Sequence, residues 1–531
     1  MTRRDVPLRA GRREWIGLAV IALPCLLYSM DLTVLNLAVP HISADLKPSS
    51  SQLLWIVDIY GFLIAGSLIT MGTLGDRIGR RRLLLIGAAA FGVASVLAAF
   101  SRSAQMLIAT RALLGIAGAT LAPSTLSLIR NMFLHDGQRT VAIAVWVTSY
   151  SVGGAIGPLL GGVLLQYFWW GSVFLLGVPV MLLLLVLGPV LLPEFRDPQA
   201  GRLDLFSAAL SLFAVLAVIY GLKQIAEHGL KWLPALSILA GLALGIAFLR
   251  RQQKLADPLI DLWLFRSPAF SASLTVYMLG TLVAFGAYIF IAQYLQLVLG
   301  LSPLQAGLAT VPSMLGFIAG SMVVPVIARQ VRPAYLMGAG LVFAAIGFVV
   351  LTQAGGASGL AVIVIGSVVY SLGLSPVIIL ATDLIVGSAP VERAGAASAI
   401  SETSSELGGA LGIAILGSIG TVVYRSSMAS AALGGVRPEA MEVARSTLGG
   451  AVAVAEQLPP QLGAELLGSA REAFAQSLQL IAAISAAVAM ATAVVALVRL
   501  RQVRSSSPGG AGPSRGSSRS GGPDPSPGSG G

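Results

Sequence analysis

Long apolar runs separated by short polar ones dominate this chain of 531 residues. Stretches of roughly 20 apolar residues, each enough to cross about 30 Å of hydrocarbon, fall near 15–38, 52–74, 83–101, 105–128, 140–163, 170–192, 204–222, 232–249, 270–298, 305–327, 334–353, 358–386, 395–424 and 475–499. The pattern predicts an all-α polytopic membrane protein with fourteen transmembrane helices. The first run starts after Arg3, Arg4, Arg9, Arg12 and Arg13, contains Asp31, and is followed by no small-residue cleavage site. It therefore reads as the first span rather than a signal peptide.

The polar breaks divide the spans as 6+2+6. A basic tail (1–14) precedes a six-helix half (15–192), and a proline-bounded linker (193–203) leads to an inserted two-helix hairpin (204–250). A second linker (251–269) carries Asp257–Arg266, which reads as an interfacial segment with its apolar side on the membrane. The second half (270–500) includes one long outer loop, 425–474, whose Pro438–Gln457 and Leu462–Phe474 stretches read as amphipathic helices over the outer mouth. The tail (501–531) is rich in Ser, Gly and Pro and reads as disordered.

Composition agrees with the pattern: 56% of residues are apolar and 11% charged, and mean hydropathy is +0.85. The net charge of +11 raises the question of a nucleic-acid partner, and its distribution answers it. With a cytoplasmic N-terminus, 25 of the 34 Lys and Arg fall on the inner side, 8 fall outside, and Arg111 lies within a span. That is the positive-inside bias. It predicts a multi-pass cytoplasmic-membrane protein with both termini inside, in contact with lipid and not with nucleic acid. The single cysteine, Cys25, excludes an intrachain disulfide and reads as a packing residue. No metal-ligand cluster, nucleophile elbow or phosphate-binding loop appears. These absences predict no enzyme activity, no metal and no cofactor, so that energy for transport comes from an ion gradient or from the substrate itself.

Candidate chemistry rests on the ionisable groups inside spans: Asp31, Asp58, Asp383, Glu402, Glu406 and Arg111. A charge at a helix centre costs about 3 kcal/mol even on insertion scales, so each needs a reason. A buried acid protonates toward neutral pH, and once ionised it attracts a lipophilic cation. Competition of proton and cation for one carboxylate is the minimal chemistry of antiport. Glu402 and Glu406, four apart on one helix face, resist joint ionisation, and a dication can pair with both. Span polarity puts Asp31 and Asp58 in the outer half of the membrane and the two glutamates in the inner half. Asp58 is either functional or a solvated acid near the helix start. Asp383 is either functional or a cap or partner for Arg393. Trp55, Tyr60, Trp146, Tyr150, Tyr277, Phe285, Tyr288 and Tyr370 offer cation–π walls or simply packing.

Three motifs carry a resemblance. Gly72-Thr73-Leu74-Gly75-Asp76-Arg77-Ile78-Gly79-Arg80-Arg81-Arg82 reads as a compact charged loop between spans 2 and 3, in which Asp76 has arginines to pair with. Gly153, Gly157 and Gly161 repeat every four residues in span 5 and form a close-packing face, with Pro158 allowing a bend. Span 1 ends in Met30-Asp31-Leu32-Thr33-Val34-Leu35-Asn36-Leu37-Ala38-Val39-Pro40. The first resembles the signature loop of the major facilitator superfamily and the second the motif of its antiporter branch. The third resembles helix 1 of the fourteen-helix drug:proton antiporters. With Trp55-Ile56-Val57-Asp58, Ser401–Gly409 and the outer loop, the chain is most similar to multidrug exporters of the QacA, SmvA and LfrA type.

That resemblance implies a proton-coupled exporter of lipophilic and quaternary-ammonium-type cations, working as a monomer. It assigns proton coupling to Asp31, Arg111, Glu402 and Glu406. Substrate contact is assigned to Asp31, Asp58, Glu402, Glu406, Trp55, Tyr60, Trp146, Tyr150 and Tyr288. Conformational switching falls to Gly72, Asp76, Arg77, Gly79, Arg80 and the span 5 motif, which in the family seals the contact between the halves. Two departures stand out: the second-half counterpart loop, Ala328–Arg332, is degenerate, and span 10 carries no acid. The competing readings are a dedicated exporter of one metabolite or antibiotic, a tetracycline-type exporter, and a membrane enzyme or receptor.

Overall fold

The computed structural model describes residues 9–48, 50–196, 204–228, 231–255, 258–355, 359–429 and 436–501. All but Arg501 of the disordered tail expected at 501–531, most of the 193–203 linker and the start of the basic tail lie outside them. Every regular element among the described residues is helical. In the first half these are α1 (Arg12–Leu46), α2 (Ser50–Ile78), α3 (Arg80–Ala99), α4 (Ala104–Gly118), α5 (Leu121–Met132), α6 (Asp136–Tyr167), α7 (Ser172–Leu175) and α8 (Gly177–Leu191). The hairpin is α9 (Leu205–His228) and α10 (Trp232–Gln252). The second half holds α11 (Pro268–Gln293), α12 (Pro303–Ile327), α13 (Pro333–Leu351), α14 (Gly359–Ser388), α15 (Ala394–Ala429), α16 (Pro438–Ser446), α17 (Leu448–Ala455) and α18 (Pro460–Leu500). Among the described residues fourteen spans are long and apolar enough to cross a membrane, with α4–α5 and α7–α8 each making one.

Local chemistry sets the helix starts. Pro268, Pro303, Pro333, Pro438 and Pro460 each open a helix, where a missing N–H costs nothing and the fixed φ is already helical. Ser267 and Ser302 cap two of them, and Ser302 forms a reciprocal capping box with Gln305.

Within the first half α1 packs on α6 and α8, and α2 on α4; within the second, α13 packs on α14 and α18, and α11 on α15. The halves meet along two seams, α2 against α15 and α6 against α12. The hairpin treats these seams differently. α9 lies over the first seam, where Ile219 packs in one cluster with Phe62 and Ala65 of α2 and Ala410 of α15, and α10 packs on α9. Because the helices alternate in direction, the starts of α1, α3, α6 and α15 and the end of α18 share one end of the molecule. It carries Arg80, Arg81 and Arg82 and is called the basic end below.

Four expected elements differ. The charged loop at 72–82 is nearly absent: α2 runs to Ile78 and α3 starts at Arg80. Gly79 alone breaks the helix, at φ 112°, a conformation that glycine adopts without strain. The stretch Pro438–Gln457 is two helices, because Thr447 is extended and its hydroxyl caps Gly450. Leu462–Phe474 is no separate outer helix. With no proline after Pro460 and a run of strong helix formers, it continues into the last span as α18. The segment after Pro258 buries Leu259, Ile260 and Leu264 against protein, not lipid, because Leu259 carbonyl accepts the Thr73 hydroxyl at 3.0 Å. Trp263, Phe265 and Arg266 are the side chains left exposed there.

Candidate functional site

Midway along α1, Asp31 and Tyr28 stand three residues apart, so they share a helix face. Asp31 takes an ion pair from Arg111 of α4 at 2.6 Å, and the Arg111 side chain is only 1% exposed. Arg111 also donates from Nε to the Ile56 carbonyl at 3.2 Å. Its guanidinium lies 4.6 Å from the Tyr60 ring centre and 5.9 Å from that of Phe174. Removing one partner of such a buried pair leaves an uncompensated charge. Asp31 and Arg111 therefore act as a unit.

Across the seam, α15 presents Glu402 and Glu406 one turn apart. The Tyr28 hydroxyl donates to Glu406 Oε1 at 3.1 Å, whereas Glu402 Oε1 is buried without a hydrogen-bond partner. Tyr28 also stacks edge-on against Tyr150 at 5.5 Å and lies tilted to Tyr60 at 6.3 Å, and Tyr150 meets Trp146 at 4.9 Å. The structure thus brings together Asp31, Arg111, Tyr60, Tyr150, Trp146, Glu402 and Glu406. Asp31 and Glu406 were expected at different membrane depths. Tyr28 lies only about 4.5 Å along the helix from Asp31, so the two acids work at neighbouring levels.

The other expected contacts fall elsewhere. Trp146 is buried and donates to Thr125 at 2.9 Å, so it supports the cluster from behind. The face of Tyr60 is already taken by Arg111. Trp55 and Tyr288 are roughly half exposed. α2 begins at Ser50, which puts Asp58 two turns inside the helix rather than at its start. Asp383 pairs not with Arg393 but with Arg139 of α6, at 2.6 Å, and it accepts the Thr140 hydroxyl at 2.7 Å. The start of α6 stacks its charged face on α14, and this brings Arg139 within reach.

At the basic end the halves are fastened by side chains. Asp76 accepts from the backbone N–H groups of Gly395 and Ala396, both at 3.0 Å, so it caps α15 from the other half. Arg80, fully buried, pairs with Asp76 at 2.8 Å and donates to the Val391 carbonyl at 2.6 Å. This close approach requires Gly72 and Gly395, since a Cβ on either would collide with the opposite helix. The second fastening is Arg139–Asp383, with Arg139 also holding Asp136 at 2.8 Å. Gly153 and Gly161 of α6 press on Leu26 and Val34 of α1, and Gly157 between them is buried. The glycine stripe therefore packs within one half and is not itself the contact between halves. The Pro158 side chain lies outside the described residues. Tyr28 and Arg139 were missed by sequence reasoning. Their signals were modest: a tyrosine one turn before Asp31, and an Asp136–Arg139 pair opening span 5.

Comparison with known proteins bears on these features. The model of the Major Facilitator Superfamily matches residues 21–413. The chain is 46% identical over 495 residues to the multidrug efflux pump LfrA of Mycolicibacterium smegmatis, covering 93% of this chain and 98% of that protein. It is 37% identical over 476 residues to the methyl viologen resistance protein SmvA of Salmonella typhimurium, covering 87% and 93%. A tetracenomycin C resistance and export protein of Streptomyces glaucescens is 32% identical, with 91% of each chain covered. Among solved structures, the human organic anion transporter MFSD10 (TETRAN) shares the fold at TM-score 0.59 and 15% identity, covering 90% of this chain and 99% of that one.

Proposed function

We propose, since the chain belongs to the major facilitator superfamily, that it is a proton-coupled antiporter exporting lipophilic and quaternary-ammonium-type cations across the cytoplasmic membrane. The observation that carries this reading is the pairing of two acid stations across the seam: Asp31 on Arg111 in one half, and Glu406 on Tyr28 beside Glu402 in the other. Relatives named for multidrug efflux and methyl viologen resistance support the choice of substrate class. The positive-inside bias puts the basic end and both termini in the cytoplasm, so the fastened end is the cytoplasmic one. The proton gradient supplies the energy, with no cofactor or enzymatic step, and a single chain holds both acid stations.

Proton and cation then compete for the same carboxylates. A proton entering from outside neutralises an acid and releases the cation bound there. When the cytoplasmic side opens, the proton leaves and the ionised carboxylate draws a new cation from the inner leaflet. Arg111 stays paired with Asp31 until a proton or a rearrangement separates them. An exporter dedicated to one compound is the second reading, favoured by the relative named for tetracenomycin C export.

The test is efflux of an ethidium-like dye from cells carrying the chain, with and without a protonophore. Parental efflux stops on adding the protonophore. Asp31→Asn abolishes export of every substrate while membrane abundance stays at the parental level. Export by Asp31→Asn at the parental rate overturns the coupling role, and dye retention by the parental chain overturns cation export.

A further inference from the structure

The export scheme above has Tyr28 as a partner of Glu406 but gives its hydroxyl no step of its own, although that hydroxyl crosses from one half to the other. The bonds of Asp76, Arg80, Arg139 and Thr140 join the halves at the basic end. The Tyr28–Glu406 bond, 3.1 Å long, joins them near the helix middles, where the acids stand. Tyr28 is buried, and its ring is fixed edge-on by Tyr150 and tilted against Tyr60. The phenol is thereby aimed at Glu406 by aromatic packing on its own half.

A carboxylate oxygen holding a phenol O–H is doing what it would do for an organic cation, with a weaker partner. A cation brings a full charge to the carboxylate, an attraction that a neutral phenol does not supply and that is strong where water is excluded. We infer that Tyr28 is a positioning residue of the transport site whose hydroxyl occupies, on Glu406, the place a substrate cation takes, so that cation binding breaks a bond between the halves. The displaced ring stays beside Tyr150, and the two aromatic faces then wall the cation. Occupancy of the site is in this way tied to freedom of the halves to move. The empty site is held shut in the middle, and a bound cation unfastens it.

This inference rests on the cation-export reading, and the experiment separates the two. Binding of tetraphenylphosphonium to the purified full chain is measured by equilibrium dialysis, and its transport in proteoliposomes under an imposed proton gradient. Tyr28→Phe keeps the ring and its packing and removes only the hydroxyl. Without the internal competitor the Kd falls by roughly threefold to tenfold, the equilibrium worth of one hydrogen bond, while the maximal transport rate falls severalfold. In a Glu406→Gln background Tyr28→Phe changes Kd by less than about twofold, as a double-mutant cycle requires when the two residues act together. Where Glu406→Gln no longer binds, the opposite movement of Kd and maximal rate in the single variant decides. An unchanged or weakened affinity in Tyr28→Phe, or an equal gain in the Glu406→Gln background, overturns the inference and leaves cation export standing. A parental chain that does not bind tetraphenylphosphonium overturns the export reading and this inference with it.

Discussion

The two fastenings at the basic end close the same gap by different chemistry. At the start of α15, Asp76 binds main-chain N–H groups, and Arg80 binds main-chain carbonyl oxygen. At the start of α6, Asp383 binds only side chains, those of Arg139 and Thr140. The first demands that two backbones nearly touch, and so it demands glycine at 72 and 395. The second joins side chain to side chain, one long from Arg139 and one short from Thr140, and uses no main-chain group of either helix. A main-chain clasp is specific in geometry and hard to replace. A side-chain clasp is adaptable, and the degenerate loop at Ala328–Arg332 fits a second half that relies on it.

If this contrast is right, the largest damage comes from filling the close approach. Gly395→Leu puts a side chain into Asp76 and the Gly72 backbone, and neither a helix nor a buried carboxylate can move aside cheaply. Transport of every substrate falls by more than about a hundredfold, a barrier change of about 2.7 kcal/mol or more, with the chain still present in the membrane. Parental rates in Gly395→Leu would mean that the clasp does not form during the cycle.

Asp76→Asn comes next. Asparagine has one acceptor oxygen where the carboxylate serves two N–H groups, and it has no charge to offer Arg80. A loss of about 2 kcal/mol shifts the fastened population about thirtyfold. Turnover slows by a similar factor for all substrates, while tetraphenylphosphonium affinity stays within about twofold. A changed ranking of substrates would place Asp76 in recognition instead of switching.

These two regions also differ in how readable they were. The Asp76 clasp appears in the sequence as a motif because main-chain bonding fixes spacing: glycines, acid and arginines must stand in one order. Even so, the sequence suggested a loop, because charges and glycines usually mark one, whereas α2 and α3 are parted by Gly79 alone. The Asp383 clasp had no such mark. Its partner lies 244 residues away, and the nearest basic residue in the chain, Arg393, was the natural but mistaken choice. The spans were legible because apolar length is set by the bilayer, and Asp31, Arg111 and Glu406 were legible because charge inside a span is costly. Tyr28 was not, since a tyrosine in a membrane helix carries no such cost signal. Its role depends on which half faces it.

The smallest effect is expected at the second clasp, and it is the sharpest test of the contrast. Asp383→Asn keeps an oxygen for the Thr140 hydroxyl, and Arg139 retains Asp136 at 2.8 Å. Only the ionic part of one contact is lost and Arg139 keeps Asp136 as a counter-charge, so the cost is about 1 kcal/mol, the net worth of one hydrogen bond, or roughly fivefold in the fastened population. Spin labels placed across the basic end of the α6–α14 contact report that population by distance distribution. The chain's one native cysteine, Cys25, is fully buried against Thr125 and does not compete for label. The expected order is a small opened fraction for Asp383→Asn and a larger one for Asp76→Asn. In the double variant the two free energies add, because the clasps use separate helix starts. Equal opening by the two single variants would show that main-chain bonding confers no extra hold. A double variant no more open than Asp76→Asn would show that the second clasp closes only after the first.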